Sequence, residues 1–277
     1  MQLALNGWTF PPQMPIERRC AAAAAAGFDA IELTVDEAGP LHFDTNRRLL
    51  VAMREACDRA GLAVASLASG AFWTVHYADP RPERRALAVE RTRTMLRMAE
   101  TLGTDAILVV PAVVGRADDA RPRVSYADAL HRVLDALLAL RHEAEERGVT
   151  IALENVWNRF LLSPLEAAEL IERINSPRVA WYLDIGNLMP LSYPEDWIAA
   201  LGHKIARVHV KDYDLARPGA AGFCPLGEGS VDWPAVLAAL RRVGYDGPLT
   251  YEGPGEPPDI LHRLRALVAS SPPPPES

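Results

Sequence analysis

Four side chains able to bind a metal ion stand at the ends of four successive apolar segments. They are Glu154 in IALENV, Asp184 in WYLDIGN, His209 in RVHVKD and Glu252 in LTYEGP. Three carboxylates and one imidazole form a mostly hard donor set, which suits Mn²⁺, Mg²⁺ or Co²⁺ better than a structural zinc. Any one of them could instead cap a helix, but buried carboxylates are costly unless they are paired or metal-bound. The pattern therefore predicts a divalent-metal site.

The apolar segments that carry these residues belong to a longer alternation of strands and helices. Several segments, such as AILVV and TIALENV, are apolar at consecutive positions, which is typical of parallel strands buried on both faces. The pattern predicts eight strands, at Gln2–Trp8, Ala30–Thr34, Ala63–Ser69, Ala106–Pro111, Thr150–Val156, Val179–Gly186, Ile205–Lys211 and Pro248–Gly253. The amphipathic stretches between them predict eight helices, at about 15–26, 44–60, 81–102, 125–147, 163–175, 194–202, 232–243 and 256–269.

Eight βα units in this order favour a single (β/α)8 TIM barrel, an α/β fold of about 250 residues. We expect the barrel to occupy residues 1–270 and the Pro-rich segment 271–277 to be disordered. A doubly wound open sheet is the alternative, but the first βα turn carries no GxGxxG motif. In a barrel the carboxyl ends of all strands meet at one mouth, so the metal-binding residues can converge although about 100 residues separate Glu154 from Glu252.

The composition argues against several other classes of protein. The 277 residues carry a net charge of −7, which disfavours a nucleic-acid-binding surface. No apolar run approaches the ~18–20 residues of a membrane span, and the start MQLALNGWTF lacks the pattern of a signal peptide. Cys20, Cys57 and Cys224 are widely spaced, so neither a disulfide framework nor a zinc knuckle is expected. We expect a soluble cytoplasmic enzyme with no nucleic-acid or membrane partner.

Five segments of the sequence carry a resemblance to a known family: ENVWNRFLLSP, WYLDIGN, RVHVKD, PLGEGSVDW and GYDGPLTYEG. They resemble the xylose isomerase-like TIM barrels, in particular the sugar phosphate isomerase/epimerase branch that includes ketose 3-epimerases, and the resemblance covers nearly the whole chain. It implies one divalent metal, usually Mn²⁺ with Mg²⁺, Co²⁺ or Zn²⁺ as alternatives, held by Glu154, Asp184, His209 and Glu252. It also implies that Glu154 and Glu252 are the catalytic acid/base pair.

The implied chemistry is 3-epimerisation of a small keto-sugar or its phosphate. A metal that binds the carbonyl oxygen stabilises the developing enediolate as a Lewis acid. One glutamate then removes the neighbouring proton, and the other delivers a proton to the opposite face. The same site could serve a keto-polyol (inosose-type) dehydratase or a hydroxypyruvate isomerase. A non-catalytic sugar-binding barrel is the alternative of a different class.

Seven residues near the predicted mouth are candidates for binding substrate. Lys211 follows His209 by two positions and could bind a hydroxyl or a phosphate. Asn187 follows Asp184 by three positions, where several relatives carry a histidine; a repair endonuclease with three zinc ions on the same fold would need a histidine there. Aromatic rings could line the carbon face of a sugar. The candidates are Asn158, Arg159, Asn187, Lys211, Glu228, Trp8 and Trp73.

Three further residues bear on the environment of the site. Glu32 and Arg207 lie in predicted strands, and if both point inward they need each other or another partner, because unpaired buried charges are disfavoured. We interpret them as structural support. Leu161 stands where ketose 3-epimerases of free sugars carry a glutamate, so the resemblance does not transfer that specificity. The number of subunits stays open, with a homodimer as one alternative.

Overall fold

The computed structural model describes residues 1–116 and 119–270. The segment 271–277, predicted to be disordered, lies outside the described residues. Across the described ranges, no helix combines the length and the apolar character that crossing a membrane requires.

Within the described residues, eight parallel strands close into a barrel, and the predicted TIM barrel is confirmed. Around the barrel the strand order is β1-β10-β7-β6-β5-β4-β3-β2, so the first and last strands pair and close the sheet. Every residue of β2, β4 and β5 is buried, as expected for strands packed on both faces. The barrel strands are β1 (Leu3–Asn6), β2 (Ala30–Thr34), β3 (Ala63–Ala68), β4 (Ala106–Val109), β5 (Thr150–Glu154), β6 (Val179–Asp184), β7 (Ile205–Val210) and β10 (Leu249–Tyr251).

The helices surround the barrel, and consecutive helices such as α2 and α3 or α3 and α4 contact each other. Eight of the helices in the described ranges fall where the amphipathic stretches predict them, and the ninth, α6, is additional. They are α1 (Ile16–Ala26), α2 (Arg47–Arg59), α3 (Pro82–Leu102), α4 (Tyr126–Arg147), α5 (Pro164–Ile174), α6 (Ile185–Leu188), α7 (Pro194–Leu201), α8 (Trp233–Arg242) and α9 (Pro257–Ser270).

Two short elements at the mouth differ from the sequence prediction. The sixth strand was predicted to run to Gly186, but it ends at Asp184, because the Asp184 Oδ1 atom accepts a hydrogen bond from Asn187 N at 2.9 Å and starts α6. The seventh strand ends at Val210 rather than Lys211. It is followed by an antiparallel hairpin of β8 (Asp212–Tyr213) and β9 (Phe223–Cys224). This hairpin covers part of the barrel mouth.

A buried histidine lies in the loop after β3. His76 is 5% exposed, and among the described residues its Nδ1 atom has no hydrogen-bond partner. Burial lowers the pKa of His76 to about 4; Asp79 opposes this shift, and the Arg84 and Arg123 charges reinforce it. The native state therefore binds this proton more weakly than the unfolded chain, whose histidines have a pKa near 6.5. The contribution of neutral His76 to stability is complete above about pH 6.5 and is lost as the pH falls towards 4.

We expect His76 to make the protein about 2 kcal/mol less stable at pH 5 than at pH 7, beyond the effect of other groups. Urea unfolding of wild type and His76→Gln at both pH values measures this, because the variant lacks the titrating group. His142→Gln, at an exposed position on α4, is the matched control. An equal loss of stability in wild type and His76→Gln would contradict the prediction.

Candidate metal centre and active site

The predicted metal ligands converge at the mouth of the barrel. Ligand atoms of Glu154, Asp184, His209 and Glu252 all lie within 4.8 Å of one another. Glu154 ends β5, Asp184 ends β6, His209 lies in β7, and Glu252 directly follows β10. The Glu252 side chain is 21% exposed, whereas Asp184 and His209 are fully buried. Neighbouring strands of the barrel therefore present one compact, largely buried donor cluster.

The donor cluster fits a divalent cation. Ligand oxygens on opposite sides of an ion at ~2.1 Å are ~4.2 Å apart, so the observed spread needs only small side-chain adjustments. The Asp184 Oδ2 atom is buried and accepts no well-oriented hydrogen bond from the described residues, although Lys211 Nζ lies 2.7 Å away. Three carboxylates and a histidine match the preference of a hard or borderline cation. The cluster could hold one metal ion.

The Lys211 ammonium group neutralises part of the cluster. Its Nζ lies 2.7 Å from Asp184 Oδ2 and donates a hydrogen bond to Glu252 Oε2 at 2.8 Å. Burial opposes the charge, but Asp184 and Glu252 raise the pKa of Lys211 well above its usual range. Gly186 makes this position possible, because a Cβ atom there would lie 2.5 Å from Lys211 Cγ. A cation that binds all four ligands therefore competes with Lys211 for Asp184 and Glu252.

The two glutamates have different electrostatic environments. Burial raises the pKa of Glu154 to about 7, a shift that His209 opposes and that Glu252 and Asp184 reinforce. Burial also tends to raise the pKa of Glu252, but the charges of Lys211 and His209 hold it below its usual range. Carboxyl groups with proton affinities pushed apart in this way are suited to acid and base roles within one site.

Glu32 orients the histidine of the cluster. Its carboxylate is fully buried and accepts a hydrogen bond from His209 Nε2 at 2.8 Å, while His209 Nδ1 lies 3.0 Å from Glu154 Oε1. Ser66 Oγ and Tyr182 OH each donate to Glu32 at 2.7 Å, and the Asn6 amide donates as well. When a metal ion is bound, Glu32 would hold the proton on Nε2 and leave the Nδ1 lone pair for the ion. Histidines that bind metals commonly donate their other ring N–H to a carboxylate, and this hydrogen bond fixes the tautomer.

We expect Glu32→Gln to weaken divalent-metal binding by about 10–100-fold, the range found when the partner of a ligating histidine is lost. The amide NH₂ would face hydrogen-bond donors, and His209 would lose the acceptor that holds its proton on Nε2. Isothermal titration of metal-free protein with Mn²⁺ measures the affinity. Glu37→Gln, at an exposed position beyond the end of β2, is the matched control. Unchanged Mn²⁺ affinity in folded Glu32→Gln would remove the positioning role.

Glu32 and Arg207 have different partners, which is one of the alternatives that the sequence leaves open. Arg207 is not the partner of Glu32, because its guanidinium lies at the other end of the barrel, where Nε donates to Ala65 O at 2.8 Å and NH2 contacts Asp105. Residues two apart in a strand face the same side, but Arg207 and His209 lie at different depths of the barrel. The structure places Glu32 beside the donor cluster.

Asn155 was not identified from the sequence. Its Oδ1 accepts hydrogen bonds from Asp184 N at 3.0 Å and Trp181 Nε1 at 3.1 Å, and its Nδ2 donates to Asp184 O at 2.8 Å. The side chain therefore fixes the end of β6 against the end of β5. The sequence signal that could have identified Asn155 is its position as a polar residue directly after Glu154, at the end of a predicted strand.

An inner chamber of about 250 Å³ opens above the donor cluster. Glu154, Glu252, Asn187 and Lys211 line it on the polar side. Its apolar wall is formed by Trp8, Trp73, Trp157 and Phe223, and the Trp157 and Phe223 rings stack with centroids 5.1 Å apart. Four of the seven predicted substrate-binding residues, namely Trp8, Trp73, Asn187 and Lys211, thus border the chamber; Phe223 was not anticipated.

The other three predicted substrate-binding residues do not line this chamber. Asn158 is buried and stabilises its own loop, donating to Ala112 O at 2.8 Å and accepting from Phe160 N at 3.1 Å. Arg159 borders a separate apolar groove on the outer side of that loop. Glu228 is half exposed and forms an ion pair with Arg263 at 2.7 Å. Their binding roles stay predictions from the sequence.

Comparison with known proteins agrees with this architecture. The sequence profile described as "Xylose isomerase-like TIM barrel" matches residues 20–270. The chain belongs to this family. Residues of this xylose isomerase-like barrel are also 30% identical over 240 positions to L-ribulose-5-phosphate 3-epimerase UlaE of Salmonella paratyphi C (strain RKS4594), covering 84% of this chain and 80% of that protein. The sequence resemblance is confirmed.

Two solved structures share this barrel fold. A D-tagatose 3-epimerase-like protein superimposes with a TM-score of 0.80 at 20% identity, covering 98% of both chains. D-psicose 3-epimerase, solved in the presence of D-fructose, superimposes with a TM-score of 0.77 at 17% identity, again covering 98% of both chains. These likenesses show that the xylose isomerase-like barrel of this chain has the same fold as both proteins.

Proposed function

We propose that the protein is a divalent-metal-dependent sugar or sugar-phosphate epimerase that catalyses ketose 3-epimerisation, with Mn²⁺ as the metal. One observation carries the proposal: Glu154 and Glu252 belong to the donor cluster and both line the inner chamber. In the barrel order, β7 and β6 separate β10 from β5. The two carboxylates therefore reach a bound molecule from different sides. The 3-epimerase relative supports this choice of reaction.

The residues of the site have separate roles in the proposed epimerisation. One glutamate takes the proton from the carbon next to the carbonyl, and the other gives a proton to the opposite face of the same carbon. A bound divalent ion supplies Lewis-acid polarisation of the carbonyl, and Glu154, Asp184, His209 and Glu252 would hold it. The aromatic rings limit water around the reacting carbons, while the carboxylates can exchange their protons with solvent between turnovers, as the 21% exposure of the Glu252 side chain permits.

Deuterium exchange tests the proposal. Mn²⁺-loaded protein is incubated in D₂O with a panel of ketoses and ketose phosphates, and deuterium entry is followed by NMR. Deuterium at C3 with formation of a new epimer is the expected result. Exchange at C1 or C2 alone would point to an isomerase such as a hydroxypyruvate isomerase, and loss of water to an inosose-type dehydratase. Failure of every substrate to exchange, together with no stoichiometric divalent metal, would overturn the proposal.

A homodimer is part of the same proposal. An apolar groove beside the mouth is bordered by Trp157, Leu162, Leu191 and Tyr213, and Leu162 and Leu191 are 51% and 58% exposed. Exposed apolar surface of this kind favours contact with another chain. Light scattering after size exclusion is expected to give twice the chain mass for wild type and the monomer mass for Leu191→Glu. A monomeric wild type would contradict the dimer.

A further inference from the structure

The mouth of the barrel contains a second, larger cavity that the proposed reaction does not use. This outer groove has a volume of about 1000 Å³ and runs between the loop after β1 and the β8–β9 hairpin. Phe10, Cys224 and Tyr251 line the groove and do not border the inner chamber. The groove therefore offers space beyond the place where the proton transfer would occur.

The inner chamber and the outer groove adjoin each other. Trp8, Phe223, Lys211 and Glu252 line both cavities, so the two meet directly beside the donor cluster. Trp8 is 39% exposed and Ala220, also shared, has only a methyl group at this junction. A molecule with its reacting carbons between Glu154 and Glu252 can extend through the junction into the outer groove.

The sizes of the two cavities indicate a substrate with two parts. Pockets for drug-sized ligands usually measure ~300–1,000 Å³. The inner chamber, at about 250 Å³, is slightly below that range and suits one small sugar. The outer groove, at about 1000 Å³, is at its upper end and is far larger than a phosphate group requires.

The lining of the outer groove favours an uncharged group. Among the described residues that line either cavity, Lys211 is the only lysine or arginine, and it is paired with Asp184 and Glu252. Phosphate recognition usually relies on such cations. The groove instead presents the carboxylate of Glu256 together with aromatic rings and prolines. Aromatic surfaces pack well against the apolar faces of sugar rings.

We infer that the substrate is a ketose whose reacting carbons lie in the inner chamber and which carries an uncharged substituent of about one sugar ring in the outer groove. This inference rests on the proposed epimerase function and specifies its substrate class. Contacts of the substituent with Trp8, Phe223 and Tyr251 stabilise the complex, whereas a phosphate in the same place would meet Glu256 and Glu252 without a free cation among the described lining residues.

Two derivatives of one ketose provide a matched test. Isomaltulose and fructose 6-phosphate carry a neutral glucosyl ring and a phosphate on the same oxygen of fructose, and lactulose carries a neutral ring on another oxygen. With Mn²⁺-loaded protein in D₂O, we expect kcat/KM for exchange at C3 of isomaltulose or lactulose to exceed that of free fructose by about tenfold, which corresponds to one packed ring. Fructose 6-phosphate is expected to fall below free fructose.

Binding to metal-free protein separates failure of the inference from failure of the proposed function. Tryptophan fluorescence reports binding through Trp8, which borders both cavities. Tighter binding of the glycosides than of fructose, without any exchange on metal addition, would overturn the epimerase and leave the groove as a binding site. Exchange of fructose at a rate equal to that of both glycosides, or faster exchange of fructose 6-phosphate, would overturn the inference and leave the epimerase.

A bulky side chain in the groove gives a second test. In Cys224→Trp, the ratio of the kcat/KM values for the preferred glycoside and fructose is expected to fall about tenfold, because the indole occupies the place of the substituent. Using a ratio within one sample cancels any loss of folded protein. Leu215→Trp introduces the same indole at a position that is 54% exposed and borders neither cavity. An unchanged ratio in Cys224→Trp would overturn the inference.

Discussion

In Glu154→Gln and in Glu252→Gln, the rate of 3-epimerisation is expected to fall by about 10³-fold, within the ~10²–10⁴ that one positioned acid or base contributes. Glutamine keeps the shape of the side chain and an oxygen that can face His209, but it cannot carry the transferred proton. Because both residues are also predicted metal ligands, kcat is measured at saturating Mn²⁺ and Mn²⁺ binding is titrated separately. Glu172→Gln, exposed on α5, is the matched control.

The two variants are expected to fail in complementary ways. Each epimer presents its C3 proton to only one of the two glutamates, so a variant that retains this glutamate can still exchange the proton with D₂O. We expect Glu154→Gln to exchange one epimer and Glu252→Gln to exchange the other, with little conversion between epimers in either. If both variants lost exchange of both epimers while still binding Mn²⁺, the assignment of one proton to each carboxylate would be wrong. A general loss of folding would appear in the circular dichroism of both.

Removal of divalent metal is expected to abolish epimerisation and to lower Tm by about 5–10 °C. Binding at 100 times Kd stabilises a folded protein by about 2.7 kcal/mol, and one kcal/mol shifts Tm by about 2–4 °C at this chain length. Differential scanning calorimetry of chelator-treated protein, with and without added Mn²⁺, measures the shift. Without a cation, the Asp184 and Glu252 carboxylates rely on Lys211 for compensating charge.

Asp184→Asn identifies the site responsible for this stabilisation. Its amide oxygen can still accept the hydrogen bond from Asn187 N, but one of the three carboxylate charges of the cluster is lost. A 100-fold loss of affinity leaves a Tm shift of about 1 °C at the same Mn²⁺ concentration. Asp135→Asn, on the exposed face of α4, should keep the full shift. If Mn²⁺ raised the Tm of Asp184→Asn as much as that of wild type, the metal would have to bind at another site.

The barrel could be predicted from the sequence because its strands are local apolar runs that need no knowledge of their partners. The short elements at the mouth could not. α6 exists because the Asp184 carboxylate caps it, and β8 and β9 are two-residue strands, too short for any alternation to be visible. Both depend on contacts between side chain and backbone that form only when the strands before them are in place.

The convergence of the donor cluster could be predicted because strand ends meet in a barrel, whatever the exact register. The residues that form hydrogen bonds or ion pairs with the donor cluster could not be predicted in the same way. Glu32 reaches His209 across the inside of the barrel, from β2 to β7, and these strands are not neighbours. Lys211 turns towards Asp184 only because residue 186 is glycine. Such pairings depend on side-chain direction and depth, which periodicity does not specify.

The buried carboxylate of Glu32 also has a consequence for folding specificity. Its partners Asn6, Ser66, Tyr182 and His209 come from β1, β3, β6 and β7, so one side chain connects five of the eight barrel strands. Sliding any of these strands by one residue would turn its polar group towards the helices and leave the carboxylate short of a donor. A buried charge with too few hydrogen bonds raises the free energy of the folded state. A barrel that closes with a shifted strand register is therefore disfavoured. The carboxylate that orients His209 thus also helps to fix the alignment of the strands.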